Sequence, residues 1–115
     1  MSEDCIFCKI AVGDIPSSKV YEDEVAVAFR DINPQAPIHI VLVPRKHVPS
    51  IDHLVAEDDG IVGHLVRTAA QIARDEGIAG GGYRLVANCG AAAGQSVDHL
   101  HFHLLGGRQL NWPPG

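Results

Sequence analysis

The chain has 115 residues, of which 46% are hydrophobic, and a formal charge of −5 at pH 7. This length fits one folded domain, residues 1–115, and is too short for two well-packed cores. The negative charge argues against non-specific nucleic-acid binding, and without a long apolar run or an apolar signal near Met1 we expect a cytoplasmic protein that binds no membrane.

The first half of the chain predicts a short helix followed by three strands. The helix covers residues 5–12, with Asp4 as its N-cap and Gly13 at its end. Two strands flank an acidic turn at residues 22–24 within "KVYEDEVAVAFRDI". The segment "HIVLVP", residues 39–44, is then a continuous apolar strand.

A long helix and two further strands complete the prediction. The helix covers residues 56–78, with an acidic first turn and Gly77 as its C-cap. Its buried stripe consists of Ile61, Leu65, Ala69, Ile72 and Ala73. Strands 83–88 and 99–105 follow, and the prolines of "NWPPG" exclude a C-terminal helix. This order predicts an α+β domain: an antiparallel five-stranded sheet with one long and one short helix.

The segment "QSVDHLHFHLLGG" places three histidines at two-residue spacing. In an extended strand, His99, His101 and His103 would all line one face. The interleaved Leu100, Phe102 and Leu104 would pack under the long helix, which leaves the imidazoles on the outer face. Packing alone does not require such a row of imidazoles.

Three interpretations of this row compete. The first is a solvated face that happens to carry histidines, and the second is a metal site with three imidazole ligands. The third is phosphoryl chemistry, in which a neutral imidazole attacks phosphorus and its neighbours donate to the phosphate oxygens. Neutral donors near the strand favour the third interpretation: Gly94, Gln95 and Ser96 precede it, and Asn88 ends the preceding strand.

The histidine row resembles the H-φ-H-φ-H-φ-φ signature of the histidine-triad (HIT) superfamily, where φ is an apolar residue. Further blocks match in order along nearly the whole chain: "IFCKI…IP", "AFRDINPQAPIHIVLVPRKH", "GYRLVANCG", "GQSV" and "GGRQLNWPPG". The last two blocks are similar to the Hint branch, the histidine-triad nucleotide-binding proteins. The resemblance implies one HIT domain in which residues 108–115 form an extended C-terminal tail.

The resemblance implies a hydrolase of purine nucleoside phosphoramidates, an adenosine 5′-monophosphoramidase. His101 would be the nucleophile that forms a nucleotidyl-histidine intermediate, with His99 and His103 beside it. Ser96 would hydrogen-bond the leaving group, and the phosphate and ribose would be lined by His39, Gln95 and Asn88. The expected ligands are AMP, GMP and their phosphoramidates, and no cofactor is needed for the chemistry.

The resemblance also implies where the nucleoside binds. Asp31 would accept hydrogen bonds from the ribose hydroxyls, and Ile6, Phe7, Phe29 and Ile32 would form an apolar slot for the purine. From the residues alone, a plain core is the more common role for Phe7, Phe29 and Ile32, and a turn is the more common role for Asp31. Asp98 and the small "CGAAAG" loop depart from the Hint pattern near the leaving group.

Two alternative functions remain open. One is hydrolysis of dinucleoside polyphosphates, a related activity within the superfamily. The other is a nucleotide-binding regulatory protein whose hydrolysis is weak. Formation of an adenylated protein from an adenosine phosphoramidate would separate these possibilities.

Cys5 and Cys8 lie three residues apart on the predicted first helix, so both thiols share a face. The chain has three cysteines, an odd number that favours free thiols or metal ligands over disulfides. By resemblance to some bacterial HIT proteins, His47 and His99 would complete a structural zinc site. Two small buried cysteines are the alternative.

A homodimer is the last expectation. A single five-stranded sheet leaves an edge strand and the far side of the helix poorly covered in a chain of this size. The resemblance implies that two copies pair into a ten-stranded sheet. It also implies that Trp112 on the tail of one copy approaches the active site of the other; packing on its own sheet is the alternative.

Overall fold

The computed structural model describes residues 4–115. Its helices are α1 (Ile6–Ala11) and α2 (Asp59–Asp75), and its strands are β1 (Lys19–Glu22), β2 (Ala26–Arg30), β3 (Ile38–Pro44), β4 (Tyr83–Val86) and β5 (Phe102–Gly106). The strands form one sheet in the order β1-β2-β3-β5-β4, and every neighbouring pair is antiparallel. The predicted α+β fold, with a five-stranded sheet, one long helix and one short helix, is confirmed.

The two faces of the sheet pack into two separate apolar clusters. Strand residues alternate between faces, so Ile40 and Leu42 of β3 join the cluster under α2. Val41 and Val43 alternate with them along β3 and join the cluster under α1. His103 lies opposite Val41 in the β3–β5 register and therefore shares the α1 face.

Helix α2 covers the other face with the predicted apolar stripe. Leu65, Ala69, Ile72 and Ala73 are buried, and Ile61 is partly buried against them. The interleaved residues of the histidine segment pack into the same cluster, as predicted; they are Leu100, Phe102 and Leu104. The helix ends in a Schellman motif, because the N–H of Ile78 donates to the Ala73 carbonyl at 3.0 Å and Gly77 has a φ of 78°.

Both predicted helix starts are displaced. Helix α1 is capped by Cys5 rather than Asp4, since the Cys5 Sγ accepts from the Cys8 N–H at 3.4 Å. Before α2, residues Ala56–Asp58 form a separate 3-10 turn. The Asp58 carboxylate there accepts from the Lys46 ammonium at 2.6 Å. Lys46 lies twelve residues earlier in the chain, so the sequence around the start of the helix does not predict this contact.

Strand β5 is shorter than predicted. It begins at Phe102, so His99 and His101 lie in the extended segment that leads into it. The Leu100 N–H donates to the Val48 carbonyl at 2.6 Å instead of to a β3 residue, which diverts this segment from the sheet ladder. Strand β4 likewise stops at Val86.

Two histidines outside the triad have side-chain partners in the structure. His64 of α2 lies 2.6 Å from the Asp23 carboxylate in the β1–β2 turn, and His53 lies 2.8 Å from the Ser50 hydroxyl. Asp23 also accepts from the Tyr21 hydroxyl at 2.6 Å. The contact between His64 and Asp23 ties α2 to the β1–β2 turn. No helix within residues 4–115 is long and apolar enough to cross a membrane.

Candidate active site

The triad histidines lie on the α1 face of the sheet and are covered by the short helix. His99 and His101 are only 0% and 3% exposed, so the expectation that this is an open outer face is wrong. The reason is Phe7 of α1, whose ring stands edge-on to the His101 ring with centroids 5.0 Å apart. A buried imidazole row requires hydrogen-bond partners, and the structure supplies them.

His101 is oriented by the backbone of its neighbour in the triad. Its Nδ1 lies 2.7 Å from the His99 carbonyl oxygen, which can only accept, so Nδ1 carries the proton and donates. In the neutral ring the Nε2 atom then keeps its lone pair. The geometry therefore prepares Nε2 of His101 as a nucleophile or proton acceptor.

His39 and His103 form a second hydrogen-bonded pair. The Gln35 backbone N–H donates to Nδ1 of His39 at 3.0 Å, so a neutral His39 carries its proton on Nε2. That Nε2 lies 2.9 Å from Nδ1 of His103 and 3.4 Å from the Asp31 carboxylate. When it donates to His103, the proton of a neutral His103 lies on Nε2, which gives this ring an N–H donor.

Burial keeps this group of rings neutral. It lowers the pKa of His103, and the neighbouring His101 and His39 lower that pKa further because a charged imidazole would repel them. Burial also lowers the pKa of His39, against the opposing influence of the Asp31 carboxylate. Neutral imidazoles suit a site that must present both a lone pair and N–H donors to a phosphate.

A second cluster joins the start of α1 to the triad. The four residues Cys5, Cys8, His47 and His99 each place one ligand atom within 4.8 Å of the others. The Nδ1 of His99 lies 3.3 Å from the Cys5 Sγ, 3.5 Å from the Cys8 Sγ and 3.2 Å from Nδ1 of His47. The Nε2 of His99 donates to the Pro44 carbonyl at 2.8 Å, so its Nδ1 is the unprotonated atom.

These residues fit a tetrahedral metal ion. Zinc bound to two thiolates and two imidazoles would separate two nitrogens by about 3.3 Å, a nitrogen and a sulfur by about 3.6 Å, and the two sulfurs by about 3.8 Å. The nitrogen–nitrogen distance found is 3.2 Å, and three nitrogen–sulfur distances are 3.3 to 3.5 Å, close to these values. The Pro44 carbonyl supplies the outer contact that usually orients a metal-binding imidazole. A zinc ion here would crosslink α1 to the triad segment.

An apolar cleft of about 430 Å³ opens between α1 and the end of β2. All four residues predicted to hold the purine line it, together with the predicted ribose acceptor; they are Ile6, Phe7, Phe29, Ile32 and Asp31. The rings of Phe7 and Phe29 meet edge to face at 5.5 Å. The same cleft includes Ile10, which sequence analysis missed although it lies four residues after Ile6 on one helix face.

The loop before the triad uses its predicted residues in different ways. The Gln95 side chain braces the loop, since its Nε2 donates to the Pro49 carbonyl at 2.7 Å and its Oε1 accepts from the Gly90 N–H at 2.9 Å. Ser96 is exposed and lines a second cleft of about 400 Å³ with Asp98 and His47. Asn88 is half-buried just beyond the end of β4.

Trp112 lines neither the apolar cleft nor the cleft at Ser96, and it is 82% exposed. The tail that carries it is held by Arg84, which donates to the Asn111 carbonyl at 2.8 Å. Sequence analysis also missed Gln35 and Pro44. Both act through backbone atoms, so no side-chain pattern could have identified them.

A scan against protein-family models matches residues 12–110 to the HIT domain. A HIT-like protein of Synechocystis sp., described as uncharacterized, is 50% identical over 115 residues and covers all of both chains. The purine nucleoside phosphoramidase of Escherichia coli is 48% identical over 110 residues, covering 96% of this chain and 92% of that protein. The crystal structure of a HIT family hydrolase from Legionella pneumophila superposes with a TM-score of 0.96 at 47% identity, covering 97% of this chain and 100% of that one.

The five-stranded antiparallel fold that carries the histidines is thus shared with a HIT family hydrolase. The chain belongs to the HIT domain family. The functions named for its relatives support a hydrolase.

Proposed function

We propose that this protein hydrolyses purine nucleoside phosphoramidates through a covalent nucleotidyl-histidine intermediate, as expected for the Hint branch. The carrying observation is the 2.7 Å bond from Nδ1 of His101 to the His99 carbonyl, which leaves the opposite ring nitrogen with its lone pair. The 48% identity to a purine nucleoside phosphoramidase favours this substrate class over dinucleoside polyphosphates.

The first step forms a bond between Nε2 of His101 and the α-phosphorus, and the bond from phosphorus to the substrate's amine nitrogen breaks. The departing nitrogen takes up a proton from solvent and leaves as the free amine, and the Ser96 hydroxyl is the proposed hydrogen-bond partner of this leaving group. The N–H of His103 donates to a phosphate oxygen, where charge develops in the transition state. The His39 ring behind it holds His103 in the donating tautomer.

The second step hydrolyses the intermediate. Water attacks phosphorus and gives up a proton to solvent, the bond to Nε2 of His101 breaks, and the nucleoside monophosphate is released with the imidazole restored. The nucleoside remains in the apolar cleft throughout, with its ribose hydroxyls on the Asp31 carboxylate. Gln95 keeps the preceding loop in shape, and both it and Asn88 are proposed to lie close to the phosphate and ribose.

A single-turnover reaction tests this function. The protein is mixed in excess with adenosine 5′-phosphoramidate, quenched in alkali and analysed by intact mass. We expect transient addition of one AMP, located on His101 by peptide mapping, and free AMP at later times. Hydrolysis without any adenylated protein, or adenylation at another residue, would contradict the mechanism.

We further propose a structural zinc at the cluster of Cys5, Cys8, His47 and His99. Its support is the match of four ligand distances to a tetrahedral ion. When bound, the ion would supply structural support rather than take part in the attack on phosphorus, because all four ligand positions are filled by protein. Such closed sites are structural.

We also propose a homodimer in the cytoplasm. Strand β4 is an edge of the sheet, and pairing it with the same strand of a second copy would produce ten continuous strands. Val66 on α2 is 45% exposed, and Trp112 is 82% exposed. A second copy would cover such apolar surface, and the tail could then reach the partner's active site.

A further inference from the structure

The Ser17 hydroxyl has no role in the mechanism and no hydrogen-bond partner. Among the side chains described in residues 4–115, its Oγ is the one buried nitrogen or oxygen atom without such a partner. Leaving a buried hydroxyl unpaired costs free energy, so an isolated case in a folded protein requires an explanation.

The position of Ser17 provides that explanation. It lies between α1 and β1, and it lines the same apolar cleft as Phe29 and Asp31. The Arg30 N–H donates to the Ser18 carbonyl at 2.9 Å, which fixes this segment alongside the end of β2. Ser17 therefore lies in the cleft wall, and its buried hydroxyl has no bond that a ligand would have to break when the side chain turns toward the cleft.

The two charged side chains at this cleft, Arg30 and Asp31, already have partners. The Arg30 guanidinium pairs with Glu76 at 3.0 Å, and Asp31 accepts from the Asn33 N–H at 2.8 Å while facing His39. A planar ring that fills the apolar part of the cleft would meet the Ser17 hydroxyl as its polar contact. A hydroxyl can donate to a ring nitrogen or accept from an exocyclic amino group.

We infer that Ser17 hydrogen-bonds the edge of the nucleobase and selects a polar heterocycle over an apolar ring of the same shape. This inference rests on the proposed function and names a specificity-determining residue for it. Because one hydroxyl both donates and accepts, it suits adenine and guanine alike. It discriminates against bases whose edge carries no nitrogen, which would leave the hydroxyl unpaired.

The test compares the effect of one substitution on two substrates. Wild type and Ser17→Ala are assayed on adenosine 5′-phosphoramidate and on the same compound with indole in place of adenine. We expect Ser17→Ala to lower kcat/KM for the adenosine substrate about 3- to 10-fold, the size of a neutral hydrogen bond, and mainly through KM. The value for the indole substrate should stay unchanged or rise.

Thermal melting separates this role from a structural one. Removal of an unpaired buried hydroxyl should leave the melting temperature of the ligand-free protein unchanged or raised, whereas the increase caused by AMP should shrink. Ser17→Thr keeps the hydroxyl and should keep the preference for adenosine over indole. A structural serine would instead lower the melting temperature and reduce both substrates equally in Ser17→Ala.

The outcomes also separate this inference from the proposed function. If wild type hydrolyses adenosine phosphoramidate and Ser17→Ala changes both substrates by the same factor, the role of Ser17 is overturned and the function stands. If wild type neither binds AMP in calorimetry nor hydrolyses the phosphoramidate, both are overturned.

Discussion

The two faces of the sheet differ in how they bury their residues. The α2 face is mainly apolar: Leu65, Leu104 and Ile40 are each at most 1% exposed and belong to one hydrophobic cluster. The α1 face buries imidazoles and thiols to nearly the same extent, with His99 at 0% and His101 at 3%.

This difference shows what each face contributes. Burial of apolar side chains stabilises the fold without any directional requirement. Burial of an imidazole costs free energy unless each ring nitrogen has a partner, and meeting that requirement fixes the tautomer of the ring. The α2 face therefore stabilises the fold. On the α1 face, buried imidazoles cost free energy, and their hydrogen bonds fix the positions of lone pairs and N–H donors.

The largest effect is expected at the nucleophile. His101→Asn should lower turnover by at least about 10³-fold because no attacking nitrogen remains, whereas AMP binding should be largely retained. Steady-state hydrolysis and calorimetry measure the two quantities. His53→Asn is the matched control, since His53 is exposed and bonded only locally to Ser50, and it should leave turnover unchanged. Hydrolysis by His101→Asn at the wild-type rate would refute the covalent mechanism.

The opposite pattern is expected on the α2 face. Leu65→Ala should lower the free energy of unfolding by about 2–5 kcal/mol, the cost of a core cavity, while the folded fraction keeps its kcat. Urea unfolding and active-site titration measure these effects. Val55→Ala, at a side chain that is 51% exposed, should change stability by no more than about 0.5 kcal/mol. A loss of kcat that exceeds the unfolded fraction in Leu65→Ala would show that the two faces are not separable.

The thiol cluster should behave as a stability element on the α1 face. Purified protein should contain about one zinc per chain, and Cys8→Ser should lose it. The melting temperature should then fall by at least about 4 °C, the shift that 1 kcal/mol produces in a domain of this size. Transfer of AMP to His101 should persist. Cys89→Ser is the matched control because Cys89 is an exposed free cysteine. Freshly purified protein without zinc, and melting that a chelator does not change, would exclude the site.

A smaller and more selective effect is expected at the mouth of the cleft. Asp31→Asn removes an acceptor for the ribose hydroxyls, which should cost about 1–3 kcal/mol, or roughly 5- to 150-fold in kcat/KM. The loss should be smaller for 2′-deoxynucleotide substrates, which make only one of the two bonds. This second substrate controls for disturbance of His39, which also faces Asp31. Equal losses for the two sugars would remove Asp31 from ribose binding.

The smallest effect is expected from the tail. A chain truncated after Leu110 should remain dimeric, because sheet and helix contacts hold the two copies, but its ranking among substrates with different amines should change. Sedimentation and competition assays measure these properties. A full-length protein that is monomeric at micromolar concentration would disprove the dimer. An unchanged ranking would place Trp112 outside the site.

Much of the fold could be predicted from local patterns. The stripe from Ile61 to Ala73 marked the buried side of α2, and the alternation around the triad marked which residues pack beneath it. The apolar run from 39 to 44 identified β3. These predictions succeed because periodicity reports directly on which side chains leave water.

The largest errors come from contacts between residues that are distant in the chain. The triad leaves the strand because Leu100 bonds to Val48, and the rings are buried because Phe7 covers them. One error is local: Cys5 caps helix α1 through a sulfur acceptor, which residue preferences rank below the carboxylate of Asp4. The tautomer of His39 depends on a backbone N–H that no sequence pattern displays.

The cluster of Cys5, Cys8, His47 and His99 also has a topological consequence. It brings together positions separated by 94 and 39 residues, so it joins the beginning, the middle and the end of the chain at one point. A crosslink across such long loops removes far more freedom from an unfolded chain than a crosslink within one helix. With an ion bound, the unfolded chain would still contain two closed loops, one on each side of His47. Helix α1 could then not detach while the rest of the protein stays folded.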